Sequence, residues 1–337
     1  MMQNILHQSE ITPILVIGAS RNGTTSLVNL LNQLPGVAKI EHVLHHGSHE
    51  AKLHGYYKYY GGLNSIDKYI DFLYHYASED YFHLAGGDID FHLKNRRTDF
   101  FQFFFDMMDR HCQIENKKYW VAKIDSSFFT DRGALQYFLS VVNRRYKCAK
   151  YIRIQRDLLP AAVSAKHMEG RNFHLRKKAL LKYYFLMAYT QSWFKTYLLS
   201  KKLIPNEKVL DINFDNFIGD RASVKKKIID YIGVNVEIGD DPSLETYKVN
   251  TSFTKNKPRQ GLGFGERNVV LLTYKTLKLF PSIAFLFHKL NSWINNKQKP
   301  PMYRKIIKYN YYRDDLEKEL ESLGADGLLD IMKGENS

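Results

Sequence analysis

The segment Gly18-Ala-Ser-Arg-Asn-Gly-Thr-Thr-Ser-Leu27 constrains this chain more than any other. It follows directly on Ile14-Leu-Val-Ile-Gly18, a short uninterrupted apolar run that ends in glycine. Such a run fits a strand buried on both faces, as strands of a parallel sheet are. Beyond the polar loop, Leu27, Leu30, Leu31 and Leu34 recur at helical spacing, and Pro35-Gly36 stops the helix. Val37 to Ile40 then reads as a second short strand. Strand, glycine-bearing loop, helix and strand together open a parallel α/β sheet.

The rest of the chain continues the alternation. Further strands are expected at Tyr119–Ile124, Ala149–Ile154 and Lys208–Ile212, with helices at Asp99–Arg110, Gly133–Arg145 and Leu175–Lys201 between them. The expected fold is therefore α/β: a P-loop-like, doubly wound parallel sheet flanked by helices. Neither internal repeats nor a low-complexity linker interrupts the sequence. One domain is expected over residues 1–337, with a core at about 12–235 and a helical C-terminal extension at about 240–337, where helix signals fall at Asn268–Leu279 and Tyr312–Leu323.

The chemistry of the first loop can be read from its residues. A glycine-rich loop between a buried strand and a helix turns several backbone N–H groups toward one point, where the helix dipole adds positive potential. Gly23 lets the backbone approach a ligand closely, and the hydroxyls of Thr24, Thr25 and Ser26 can donate to anionic oxygens. Gly18 and Gly23 share the spacing of the nucleotide-triphosphatase pattern G-x-x-x-x-G-K-[ST], yet Thr24 stands where that pattern has lysine. The cation is Arg21, inside the loop. Lacking the lysine that reaches β- and γ-phosphates, the loop is poorly equipped for ATP or GTP hydrolysis but still suits an anion.

Arg21-Asn-Gly-Thr-Thr-Ser-Leu27 resembles the 5′-phosphosulfate loop of sulfotransferases that use 3′-phosphoadenosine-5′-phosphosulfate (PAPS), commonly R-S-G-T-T-x-L in bacterial and Golgi-type members. Asn22 replaces the usual serine. A second segment, Tyr151-Ile-Arg-Ile-Gln-Arg156-Asp-Leu-Leu-Pro160-Ala-Ala-Val-Ser164, is a strand, a charged turn and a helix carrying a serine. It resembles the family's 3′-phosphate element, an arginine just after a strand and a serine eight residues on, so that Arg156 and Ser164 take those roles. Arginine forks onto phosphate oxygens while a serine hydroxyl donates from the first helical turns. Two phosphate sites on successive parallel strands fit a nucleotide phosphorylated at both ends of its ribose, which is PAPS.

The resemblance also implies catalytic residues. Sulfuryl transfer needs a base for the acceptor hydroxyl, neutralisation of the sulfuryl oxygens and stabilisation of the departing phosphate. Arg21 and the loop amides supply the last. Glu41, in Val37-Ala-Lys-Ile-Glu-His42, falls where Golgi-type and tyrosylprotein sulfotransferases have a glutamate base. Cytosolic members use histidine, so His42, His45 and His46 compete; Glu41 is preferred because the loop is of the arginine type. Lys123 resembles the lysine of the family's K-T-P or K-D-P segment, though Ile124 and Asp125 depart from it. Lys257 and Arg259, in Lys255-Asn-Lys257-Pro-Arg259-Gln-Gly261, resemble the basic loop that closes over the 3′-phosphate. No metal is expected.

Composition narrows the partners. The formal net charge is +14, which favours an anionic partner without naming it. A sulfotransferase would take a hydroxyl-bearing acceptor, and a basic, aromatic-rich surface suits an anionic glycan or glycolipid. The only two cysteines, Cys112 and Cys148, have neither metal-type spacing nor a disulfide framework, which fits a reducing, cytoplasmic setting. Residues 1–12 lack the pattern of a signal peptide, and Val269–Leu290, interrupted by Lys275, Lys278, Pro281 and His288, reads as a packed or surface-lying helix pair with a possible peripheral membrane contact. The aromatics between Tyr56 and Phe105 are read as packing. The rival functions are a nucleotide-dependent kinase, opposed by the missing lysine; a nucleic-acid binder, supported by charge alone; and a catalytically dead binding module if Glu41 is misplaced.

Overall fold

The computed structural model describes residues 10–38, 57, 99–124, 126, 128–172, 179–234 and 261–284. Four strands, β1 (Thr12–Ile17), β2 (Tyr119–Ile124), β3 (Lys150–Gln155) and β4 (Val209–Asn213), form one sheet in the order β2-β1-β3-β4. Every pairing is parallel. The central strand β1 is buried at all six positions, as its uninterrupted apolar run requires. Val37 adds a single parallel bridge to Tyr119 beside β2, so the expected strand at Val37–Ile40 is seen at its first residue; Lys39 and Ile40 lie outside the described residues.

Alternation of side chains along the strands gives each face its own helices. Leu15, Ile17, Trp120, Ile124 and Tyr151 share one core with α2 (Phe100–Ile114), α3 (Arg132–Arg145) and the end of α5 (Ala179–Leu203). Ile14, Val16, Val121, Ile152, Ile154 and Ile212 share the other with α1 (Thr24–Leu31) and α7 (Arg221–Ile232), which follows α6 (Phe214–Gly219). Helices on both faces make the sheet doubly wound, as expected from the sequence.

The helices follow local rules. In α2 the buried Phe101, Phe104, Phe105, Met108 and Cys112 recur at helical spacing, Asp99 caps the N-terminus, and Asn116 closes the C-terminus with φ of 50°. Phe101, Phe105, Trp120, Phe128, Phe138 and Tyr146 then interlock in stacked, tilted and edge-on pairs. Tyr57 stacks on Phe101 with ring centroids 4.6 Å apart. The aromatics of this region therefore pack, wherever they are described. Beyond α4 (Leu158–Asn172) and α5, the helix α8 (Phe264–Leu279) lies against both through Val270 and Leu277. The expected helix at Tyr312–Leu323 lies outside the described residues.

Sheet order fixes where a ligand can enter. From β1 the chain moves to β2 on one side; from β3 it moves to β4 on the other. The loops leaving β1 and β3 therefore part in opposite directions and leave a crevice at the carboxyl ends of those two strands.

Candidate anion site

The loop after β1 is built by glycines at two tight points. A Cβ on Gly18 would stand 2.6 Å from Thr24 Cγ2 and 2.8 Å from the Ile154 carbonyl oxygen. Gly23 has φ of 92°, and a Cβ there would meet the Phe214 ring at 2.4 Å. Arg21 also takes a left-handed φ, 70°, a conformation that costs a non-glycine residue about 1–2 kcal/mol. Such local strain is found where function holds a side chain in place.

Gly23 is the N-cap of α1 and provides no side-chain cap, and the first turn carries no acidic residue. The first-turn N–H groups of any α-helix lack intrahelical acceptors. Here those of Thr24, Thr25 and Ser26 face the loop with the positive end of the helix dipole behind them. The side chain of Thr24 is buried, Ser26 is half-buried and Thr25 is exposed. Asn22 is 3% exposed, its N–H donates to the Ala19 carbonyl, and its buried Oδ1 has no partner. Asn22 thus builds the turn through its backbone N–H, with its side chain buried.

Arg21 and Ser164 meet: Arg21 Nε donates to Ser164 Oγ at 3.2 Å. Ser164 lies on α4, the helix that follows β3, and is 4% exposed. Arg156, one residue past β3, places its guanidinium over the Phe214 ring with Cζ 4.4 Å from the centroid. Tyr189, on α5, donates its hydroxyl to the Ser20 carbonyl at 2.8 Å. Burial pushes the Tyr189 phenol well above its ordinary range, and the charges of Arg21 and Arg156 pull it back, so both guanidiniums lie around this one hydroxyl. The structure therefore brings Arg21, Gly23, Thr24, Thr25, Ser26, Arg156 and Ser164 to one crevice.

Lys123 is half-buried near the carboxyl end of β2, in register with Val16 of β1 and on the face that carries α1. Glu41, His42, His45, His46, Lys257 and Arg259 lie outside the described residues. Tyr189 and Phe214 were not singled out in the sequence. Tyr189 sits inside a long helix with no motif around it, and Phe214 reads as one more core aromatic after a strand. The only signal for Phe214 was its place: Gln155 and Asn213 are register partners, so Arg156 and Phe214 are the next residues off two paired strands.

The chemistry of the donor set suits a phosphorylated or sulfated ligand: two guanidiniums, a serine hydroxyl and an uncapped helix N-terminus. Among the described residues no group of three His, Cys, Asp or Glu side chains could hold a metal ion. No described helix is long and apolar enough to cross a membrane.

Among solved structures, the chain is similar to the sulfotransferase domain of the Synechococcus PCC 7002 olefin synthase at 14% identity, covering 82% of this chain and 98% of that one, with a TM-score of 0.44. It is similar to the sulfotransferase STF1 of Mycobacterium tuberculosis H37Rv at 15% identity, covering 71% and 72%, with a TM-score of 0.38. STF9 of Mycobacterium avium matches at 13% identity over 95% and 78%, with a TM-score of 0.37. No curated protein matches the sequence. A family model described as the sulfotransferase family matches residues 13–237, which is more than half of the chain and takes in both arginine elements. The chain belongs to the sulfotransferase family.

Proposed function

We propose that the protein transfers a sulfuryl group from PAPS to a hydroxyl of a carbohydrate or glycolipid acceptor, without a metal ion. The observation that carries this reading is the meeting of Arg21, Ser164 and Arg156 in front of the uncapped α1. One anion pocket would serve a nucleoside monophosphate; two arginine elements off adjacent strands suit phosphates at both ends of a ribose. PAPS, when bound, supplies an activated sulfuryl group on its 5′-phosphate.

The residues divide the work. Arg21 and the first-turn amides of α1 hold the 5′-side oxygens and stabilise charge left there. Arg156 and Ser164 hold the 3′-phosphate, with Lys257 and Arg259 closing over it. Lys123 neutralises the sulfuryl oxygens. Glu41 takes the acceptor proton, with His42 the alternative. A carbohydrate or glycolipid acceptor, and with it a peripheral membrane contact, is supported by the net charge of +14. Both cysteines are free thiols, and Cys148 is exposed, which suits a cytoplasmic enzyme.

The test is ligand-dependent stability. 3′,5′-phosphoadenosine (PAP), the product of donor turnover, should raise the melting temperature by mass action, with AMP and ATP far weaker. Equal shifts from ATP and PAP, or activity lost to EDTA and restored by Mg²⁺, would favour the kinase reading instead. Glu41→Gln should keep PAP affinity and lower turnover by about 10²–10⁴-fold, the usual worth of a general base. Normal turnover in that variant, with His42→Ala dead, moves the base to histidine.

A further inference from the structure

Phe214 sits where both halves of the candidate site meet. Parallel pairing of β3 with β4 sets Gln155 opposite Asn213, so the residues that leave the sheet next, Arg156 and Phe214, leave side by side. Asn213 then caps α6 by accepting from the N–H groups of Asp215 and Asn216, which fixes Phe214 at the first position of that helix. One face of its ring carries the Arg156 guanidinium, 4.4 Å from Cζ to centroid. An edge of the same ring fills the space beside Gly23, where a Cβ would come within 2.4 Å of Cδ2 and 2.5 Å of Cε2. The ring is half-buried and packs against the core that holds α1 and α7.

We propose that Phe214 is a positioning residue for the donor site: its face orients the Arg156 guanidinium toward the 3′-phosphate, and its edge sets the turn at Gly23. An arginine held over a ring face has fewer rotamers left to lose when its N–H groups fork onto phosphate oxygens. An arginine on a bare strand end must instead lose its rotamer freedom each time it binds. The two contacts of Phe214 are separable. Leucine keeps apolar bulk against Gly23 but removes the ring from beneath Arg156; tyrosine keeps the ring.

This proposal rests on the PAPS reading, and one titration series tests them apart. Calorimetric titration of the full-length chain with PAP and with AMP, which lacks the 3′-phosphate, is made on the wild type, Phe214→Leu, Phe214→Tyr, Arg156→Ala and the Phe214→Leu/Arg156→Ala double variant. Phe214→Leu should weaken PAP by about five- to tenfold, the range of a partly desolvated cation–π contact, and leave AMP unchanged. Phe214→Tyr should restore PAP affinity. In the Arg156→Ala background the leucine substitution should cost nothing further, since the contact it removes is already gone. Parallel losses for PAP and AMP would mean a merely structural ring and overturn the proposal. So would full additivity of the two substitutions, or a Phe214→Leu chain that binds PAP as the wild type does. A wild-type chain that fails to bind PAP would overturn the donor reading, and this proposal with it.

Discussion

Helices α1 and α2 pack on opposite faces of one sheet, and their N-termini are finished in opposite ways. Asp99 accepts from the N–H groups of Phe101 and Gln102 at the start of α2. Asp131 does the same for α3, Asn213 for α6 and Asp220 for α7. The start of α1 has Gly23 and no side-chain cap. The interiors differ in the same sense. On the α2 face the buried Asp109 is closed by the fold: it accepts from Trp120, Arg145 and Tyr146, although burial still holds its carboxyl above the usual carboxylate range. On the α1 side, Arg21 holds a left-handed φ in the loop and the buried Asn22 Oδ1 has no partner. A group that the fold satisfies by itself contributes to stability; a group left for a ligand contributes only when that ligand is present.

Substitutions can separate the two regions. The largest expected effect is on the closed side: Phe105→Ala removes a ring packed on Trp120, Phe138 and Tyr146, at a cost of about 3–5 kcal/mol in urea-induced unfolding. The affinity of the folded chain for PAP should not change; a parallel loss would dissolve the distinction. Next comes Arg156→Ala, expected to weaken PAP by about 1.5–3 kcal/mol in titration while the unligated melting temperature stays nearly constant. Gly23→Ala should lose about 1–2 kcal/mol to its left-handed φ, and more if the Phe214 ring resists displacement. Since that glycine serves both the turn and the ligand, it should lower unligated stability and PAP affinity together. The smallest effect, about 1 kcal/mol of stability, belongs to Asp131→Ala, which uncaps α3 and should leave PAP affinity untouched. A measurable change in PAP affinity there would show that the two faces are coupled.

The sheet was legible because parallel strands advertise themselves. Ile14–Ile17 is an uninterrupted apolar run and Tyr119–Ile124 and Ala149–Ile154 are predominantly apolar, and the structure moves the expected bounds by two residues at most: β1 begins at Thr12, whose N–H donates to the Lys118 carbonyl. The helix after the loop was placed by its leucines, Leu27 to Leu34. It begins instead at Thr24 and ends at Leu31, because left-handed Gly23 starts the helix and the chain turns from Asn32. The six-residue α6 is too short to show an apolar period and starts at its Asn213 cap, whereas α7 starts at its Asp220 cap and buries Val224, Ile228, Ile229 and Ile232 at helical spacing. Within the site, Arg21, Arg156 and Ser164 could be read because arginine and serine at fixed offsets from strand ends carry their chemistry in their identity. Tyr189 and Phe214 act through where they are. That information lies in strand register and helix packing, which one-dimensional spacing does not contain.

The position of β1 also bears on how the chain is made. It is the first of the described strands along the chain and the second in the sheet, hydrogen-bonded on one side to β2 and on the other to β3. Its register partners begin at Tyr119 and Lys150. At about 5–20 residues per second of translation, Ile14–Ile17 is synthesised several seconds or more before either neighbour exists. For that interval the emerging polypeptide carries an apolar β segment without the two strands that pair with it in the fold, a template for unwanted pairing. The strand whose carboxyl end borders the crevice is thus made well before the two strands that hold it in the sheet.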